Sequence, residues 1–290
     1  MNKTILIVGG SGFIGNAIVK KFNQDYKLIS ISRNFPKKKI KKVTYIKCDI
    51  LNYNKLKKIL EKFNFDIVIN ALANKDQVHI NNKTHIQGNN NLIKYVINKK
   101  KIKNFIQIGS SQEYGSLSAP HSEKFFKIPQ DDYGYHKLII TFYLKYLRIQ
   151  KNFPSVIVRP YSIFGPNQKN KHLIPIAITK IKNNKSFEIL NPNIKRNFIY
   201  IDDFINIIEM IILKKINNAD IINIGYFKSI TVLQMINKIS KQFKNSKIKI
   251  KNNSKNTNHY PNLTKLSNLL QNIKYKDYDS TIKKTIIAQK

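Results

Sequence analysis

The sequence predicts an α/β protein: a doubly wound parallel sheet with a smaller C-terminal α/β lobe. Three observations predict it. Short apolar runs alternate with segments of helical spacing through the first half. The first such run ends in Gly9-Gly10-Ser11-Gly12-Phe13-Ile14-Gly15 and passes directly into a helical pattern. The rhythm then changes near Gly165-Pro166.

The elements follow in order. Thr4 to Val8 is apolar and ends in glycines, which marks a buried strand. Phe13 to Asn23 has helical spacing, and Lys27 to Ser32 and Val43 to Lys47 are strands two and three. Asn52 to Phe63 is amphipathic, with Leu56, Ile59, Leu60 and Phe63 on one face. Asp66 to Asn70 is a strand, Thr84 to Asn98 a helix, Asn104 to Ile108 a strand and Tyr133 to Gln150 a long helix. Ser155 to Val158 is another strand, closed by Arg159-Pro160. A loop and helix lead to about Pro192, with Leu173 to Ile181 as the apolar part. Ile199 to Leu213 is expected to return to the first domain as a strand end and helix. Ala219 to Ile224 is a strand, and Thr231 to Phe243 a helix capped by its threonine. Lys244 to Asn258 is polar, basic and expected to be exposed. The division expected is 1–165 with a return at about 196–215, against 166–195 and 216–290.

Composition bounds the function. With 290 residues and 42% hydrophobic content the chain can bury a sizeable core. Its apolar runs are too short to cross a bilayer, and no signal peptide is expected from Ile5-Leu6-Ile7-Val8 followed by glycines. One cysteine, Cys48, excludes an intramolecular disulfide framework and fits the cytoplasm. The net charge of +36 would attract polyanions. However, Lys, Asn and Ile crowd the whole chain, as AT-rich coding would produce, so no specific nucleic-acid or membrane partner is expected. Only Arg33, Arg148, Arg159 and Arg196 are arginines, and three of them lie in the motifs below. Anionic small substrates fit the charge better.

A strand, the Gly9-x-x-Gly12-x-x-Gly15 turn and a helix suit a pyrophosphate: glycines allow close approach, and the helix start offers free N–H groups. An acidic residue closing strand two would bind a ribose 2′-OH, but this chain has Ser32-Arg33. Serine leaves room and arginine offers a forked phosphate contact, which favours NADP over NAD. Asp49 either meets the adenine amino group or caps the next helix. Tyr133 and Lys137 are four residues apart and share a helix face, where an ammonium would lower the phenol pKa. Ser110, past a strand end, can bond a substrate oxygen. Together they can move a proton beside a hydride.

These strings, with Ser110 to Gly115, Arg159-Pro160-Tyr161-Ser162-Ile163-Phe164-Gly165-Pro166, Arg196 to Asp203 and Asn223-Ile224-Gly225, resemble the extended short-chain dehydrogenase/reductases that act on nucleotide sugars. The resemblance spans nearly the whole chain and implies a Rossmann-type sheet. It implies Tyr133 as acid/base, Lys137 on the nicotinamide ribose, Ser110 on the sugar oxygen and Arg196 on the diphosphate. The cofactor positions are Gly9, Gly12, Phe13, Ile14, Gly15, Ser32, Arg33, Asp49, Ile50, Ala71, Leu72, Ala73, Tyr133 and Lys137. Ser111, Gln112, His172 and Arg196 are assigned to substrate, and no metal is expected. A homodimer built on a four-helix bundle from the Thr84 and Tyr133 helices is also implied, with Leu138, Phe142 and Leu144 either as its apolar contacts or as core residues.

Departures from the family pattern narrow the reaction. Its 4,6-dehydratases carry Asp-Glu where this chain has Ser111-Gln112, and an amide cannot do that acid-base work. GDP-fucose synthase-like members have a Cys at Gln112 and a His at His172, and this chain keeps only the His. Ser162 and His85 stand where the family often has Asn. The expectation is an NADP-dependent 4-ketoreductase of a nucleotide-activated keto-deoxysugar. The alternatives are an NAD-dependent 4-epimerase and, further off, a non-catalytic polyanion-binding protein.

Overall fold

Runs of four to six residues rich in Ile and Val form the strands, because branched side chains suit a sheet covered on both faces. In the computed structural model, which describes residues 3–72, 83–99, 101–169, 171–244, 246–251 and 257–289, the first six strands are β1 (Thr4–Val8), β2 (Lys27–Ser32), β3 (Val43–Lys47), β4 (Ile67–Asn70), β5 (Asn104–Ile108) and β6 (Ser155–Pro160). Short strands β7 (Ser162–Phe164), β8 (Phe187–Leu190), β9 (Lys195–Arg196) and β10 (Phe198–Tyr200) follow. The last are β11 (Ile221–Ile224), β12 (Ile230–Thr231) and β13 (Ile248–Lys251). Seven of these strands make one parallel sheet in the order β11-β6-β5-β4-β1-β2-β3. The order reverses beside β1, and in doubly wound folds ligands bind at that point, at the carboxyl ends of the strands.

The helices among the described residues are α1 (Phe13–Phe22), α2 (Tyr53–Leu60), α3 (Asn89–Ile97), α4 (Asp132–Lys151), α5 (Leu173–Lys182), α6 (Ile201–Leu213), α7 (Val232–Ser240), α8 (Thr264–Leu269) and α9 (Tyr278–Ala288). The predicted Thr84 helix opens instead as a π-helical turn, Lys83–Gly88, before α3. On the face expected for α2, Leu56 and Leu60 are buried while Ile59, and Phe63 beyond the end of the helix, are only partly so.

The chain divides into two compact units. The first comprises 1–115, 126–159 and 208–222, and the second 116–125, 160–207 and 223–290. The core of the first joins Leu6, Val8, Val68, Leu92, Phe105, Leu144 and Ile157. Truncating Phe105 to Ala there costs roughly 3–5 kcal/mol through lost burial and a residual cavity. Leu138 and Leu144, candidates for contact between copies, are buried inside this chain, and of the three only Phe142 is exposed. The apolar residues that α4 leaves outside are Tyr135, Phe142, Tyr146 and Ile149.

In the second unit α7 packs against α5 and α9 around Ile178, Met235, Ile236 and Ile282. Thr231 caps α7 as expected, accepting from the Gln234 amide at 3.1 Å in a capping box. The expected strand end at Ile199 does not join the large sheet. It lies in β10, which pairs with β7, because Phe198 and Tyr200 are buried against that partner. The basic stretch after Lys244 contributes a strand, β13, paired with β8.

Candidate active site

The glycine turn closes the end of β1. The Gly9 amide donates to Ile31 at 2.8 Å, and the Gly12 amide donates to Gly9 at 3.0 Å. Gly9 has φ +83°, and a Cβ there would sit 2.9 Å from the Ala71 carbonyl oxygen, so only glycine fits. Gly12 starts α1 without any side-chain cap, which leaves the first-turn amides of Phe13, Ile14 and Gly15 to an outside anion. This cradle fits the pyrophosphate of a dinucleotide. Ser32 accepts the Ser11 amide at 3.0 Å, a bond that ties β2 to the turn, and Arg33 beside it is exposed.

Asp49 closes a turn rather than the helix itself: its Oδ1 accepts the Leu51 amide at 3.0 Å, while Asn52 caps α2. Ile50 is buried. The Ala71 amide donates to Val8 at 2.9 Å and the Leu72 amide to Asn70 Oδ1 at 3.3 Å. Ala73 lies outside the described residues. Beneath this edge, Asn70 donates to Asn89 and Gln107, all three buried.

Ser110 follows β5 and caps a 3-10 turn, Ser111–Tyr114. Its hydroxyl is hydrogen-bonded to the Tyr133 phenol, so two of the three expected catalytic groups touch. Lys137 is buried, and its Nζ donates to the carbonyls of Leu72 at 3.0 Å and Ile108 at 2.7 Å. It lies 5.8 Å from the Tyr133 ring centroid. Burial lowers the Lys137 pKa to about 8, against the opposing pull of Glu113. The phenol is not lowered as the spacing suggested. Burial, then the negative charges of Glu113 and Asp131, push it above its ordinary value despite the Ser110 bond. Tyr133 is therefore held as a neutral phenol. His85 meets it edge-on at 5.7 Å and stacks on His136 at 6.0 Å.

Asp131 caps α4, accepting from Gly134 with Oδ1 at 2.7 Å and from Gln112 Nε2 with Oδ2 at 2.7 Å. Ser111 is buried. Sequence reasoning missed Glu113 and the role of Arg159: they form an ion pair at 2.9 Å with both side chains enclosed. The one available signal was an acidic residue three places after a strand-end serine, a capping-box spacing.

The second unit holds the other two expected substrate residues. Arg196 is half-buried, and its Nη1 donates to the Thr257 carbonyl at 3.2 Å. Burial lowers its pKa. His172 is exposed at the start of α5 and makes no capping bond there. In the same unit as Arg196, His121 Nε2 donates to the Leu117 carbonyl at 3.0 Å, so in the neutral ring Nδ1 accepts from Tyr161 at 2.9 Å. His259 packs edge-on against His121 at 4.6 Å. Among the described residues no His, Cys, Asp and Glu cluster could hold a metal ion.

A family model described as the NAD dependent epimerase/dehydratase family matches residues 5–225. The chain belongs to that family. Within the NAD dependent epimerase/dehydratase family, the chain is 28% identical over 275 residues to a dTDP-D-glucose 4,6-dehydratase of Dictyostelium discoideum. That match covers 81% of this chain and 61% of the other, so the chain spans under two thirds of that relative's length. It is 26% identical to the dTDP-4-dehydro-6-deoxyglucose reductase of Escherichia coli, covering 81% and 80%. The fold matches UDP-glucuronic acid 4-epimerase from Bacillus cereus, in complex with UDP-glucuronic acid and NAD, with TM-score 0.84 at 25% identity, covering 99% and 98%. The relatives matched in this family include nucleotide-sugar epimerases, dehydratases and reductases.

Proposed function

We propose that the chain is an NADP-dependent 4-ketoreductase acting on a nucleotide-activated keto-deoxysugar. The observation that carries this reading is the Tyr133 phenol bonded to Ser110, with the buried Lys137 Nζ on the same helix face and Gln112 standing where a dehydratase would carry an acid. NADPH, when bound, supplies the hydride. Ser110 holds the sugar ketone oxygen and Tyr133 delivers the proton to it. Lys137 then stabilises the phenolate that forms and orients the nicotinamide ribose. Ser111 and Gln112 bring no acid-base pair for eliminating water, and Gln112 is committed to Asp131. Likeness to the Escherichia coli reductase supports the same direction. Arg33 supports NADP by offering a fork to a 2′-phosphate. Arg196 is assigned to the substrate diphosphate and His172 to a sugar hydroxyl, within a substrate-binding lobe made from the second unit.

The 4-epimerase reading is favoured by one observation, the 25% identity and near-complete overlap with the Bacillus cereus epimerase. Fluorescence titration with NADPH and NADH, with analysis of cofactor retained through purification, separates the two. Preference for NADPH with consumption of a 4-keto-6-deoxy nucleotide sugar supports the reductase, and retained NAD with interconversion of C4 epimers replaces it. We also assign a cytoplasmic location from the single thiol, and a homodimer formed through the exposed α4 face.

A further inference from the structure

A carboxylate that the chemistry above leaves unused is buried behind the Ser110 turn. Glu113 is wholly enclosed. Its Oε1 accepts the Ser110 amide at 2.7 Å. Its Oε2 accepts the Thr141 hydroxyl at 2.7 Å and both Nε and Nη2 of Arg159 at 2.9 Å. The Arg159 guanidinium also lies 4.5 Å from the Tyr114 ring. One side chain thus joins the turn after β5, the middle of α4 and the end of β6. A buried carboxylate is costly to leave unpaired, and Arg159 supplies the pairing. Burial works against the Arg159 charge, but Glu113 and Tyr114 together more than offset it and raise its pKa.

Resting on the ketoreductase reading, we propose that Glu113 is a positioning residue. It grips the Ser110 amide and so holds the Ser110 hydroxyl against Tyr133, and it sets a carboxylate behind the Lys137 and Tyr133 pair. Among the described residues, the groups facing that pair are Ser110 and Glu113 from the turn, Asp131 from the cap of α4, and His85, backed by His136, from the segment before α3. Among them Glu113 is the charge that acts on Lys137, and the larger of the two charges that act on Tyr133. A proton donor gains from this: the acid is loaded before the ketone arrives, and its oxygen is already aligned with the serine that grips the same ketone.

Two variants separate geometry from charge. In E113Q/R159Q both charges go, so no lone buried ion remains to unfold the chain. In E113D the charge stays and the reach shortens. Lysine ε-carbon NMR, with Lys137 assigned by its absence in K137M, reads the ammonium without any substrate. The Lys137 midpoint is expected to fall by about half a pH unit or more in E113Q/R159Q and to stay near the wild-type value in E113D. In turnover, E113D is expected to lose about tenfold or more in kcat with KM nearly unchanged. In E113Q/R159Q the basic limb of kcat/KM is expected to move to lower pH. An unmoved midpoint in a double variant of native near-ultraviolet circular dichroism overturns the charge role. Wild-type kcat in E113D overturns the positioning role. Absence of wild-type ketone reduction overturns the ketoreductase reading alone, because the NMR midpoint still tests Glu113.

Discussion

Ser32 accepts the backbone amide of Ser11 across the mouth of the glycine turn at 3.0 Å. The residue proposed to leave room for a 2′-phosphate therefore also braces the glycine turn proposed to hold the pyrophosphate, while the adjacent Arg33 stays exposed. Cofactor choice should then rest on Arg33. Arg33→Ala is expected to weaken NADPH binding by about tenfold or more, as loss of a charge-assisted phosphate contact implies, and to leave NADH binding within about twofold. Titration of both cofactors checks this, and an equal loss for both removes Arg33 from discrimination.

Proton delivery gives the second prediction. Tyr133→Phe keeps the ring against His85 and removes the hydroxyl. It is expected to lower kcat for ketone reduction by about 10²–10⁴-fold with KM for the sugar nucleotide little changed. Ser110→Ala should fall in the same direction by a smaller factor. Steady-state kinetics decide, and a Tyr133→Phe enzyme with near wild-type kcat excludes Tyr133 as the donor.

How much of this was legible in the chain depends on sequence distance. The glycine turn, Tyr133 with Lys137, and the Thr231 cap are local patterns in which partners lie within a few residues. Glu113 was not legible as a hub, because Thr141 and Arg159 lie 28 and 46 residues away. The helix α4 was left open for another reason. It is apolar on more than one side, and spacing cannot tell which side a sheet covers; Leu138 and Leu144 proved to be core, the alternative the sequence allowed, and Phe142 is exposed. The phenol of Tyr133 was misjudged because the lysine was weighed and the burial and nearby carboxylates were not.

The outward side of α4 supplies the third prediction. Phe142, Tyr146 and Ile149 are exposed by 42%, 56% and 72%, and Phe126 packs edge-on against Phe142 at 5.2 Å. The proposed contact between copies would bury this apolar stripe. Sedimentation velocity is expected to show a dimer for the native chain and a monomer for Phe142→Glu/Ile149→Glu. A native monomer at micromolar concentration, or a double variant that remains dimeric, rejects α4 as the contact.

Acid lability gives the fourth. Burial, with His121 and Arg196 adding repulsion, lowers the His259 pKa from 6.5 to about 3. Between those values the unfolded chain takes up a proton that the folded chain refuses, so this stability is full above 6.5 and is lost as pH falls. His259→Gln should flatten the decline between pH 7 and 5 by on the order of 1–2 kcal/mol, measured by urea unfolding at both pH values. An identical decline in both proteins assigns the lability elsewhere.

Asn70, Asn89 and Gln107 tie β4, α3 and β5 together under the site through amides alone. Amides carry no charge that solvent protons add or remove over the pH range of ordinary assays. The bonds joining β4, α3 and β5 therefore outlast a change in acidity, and the strand ends that they tie keep their spacing.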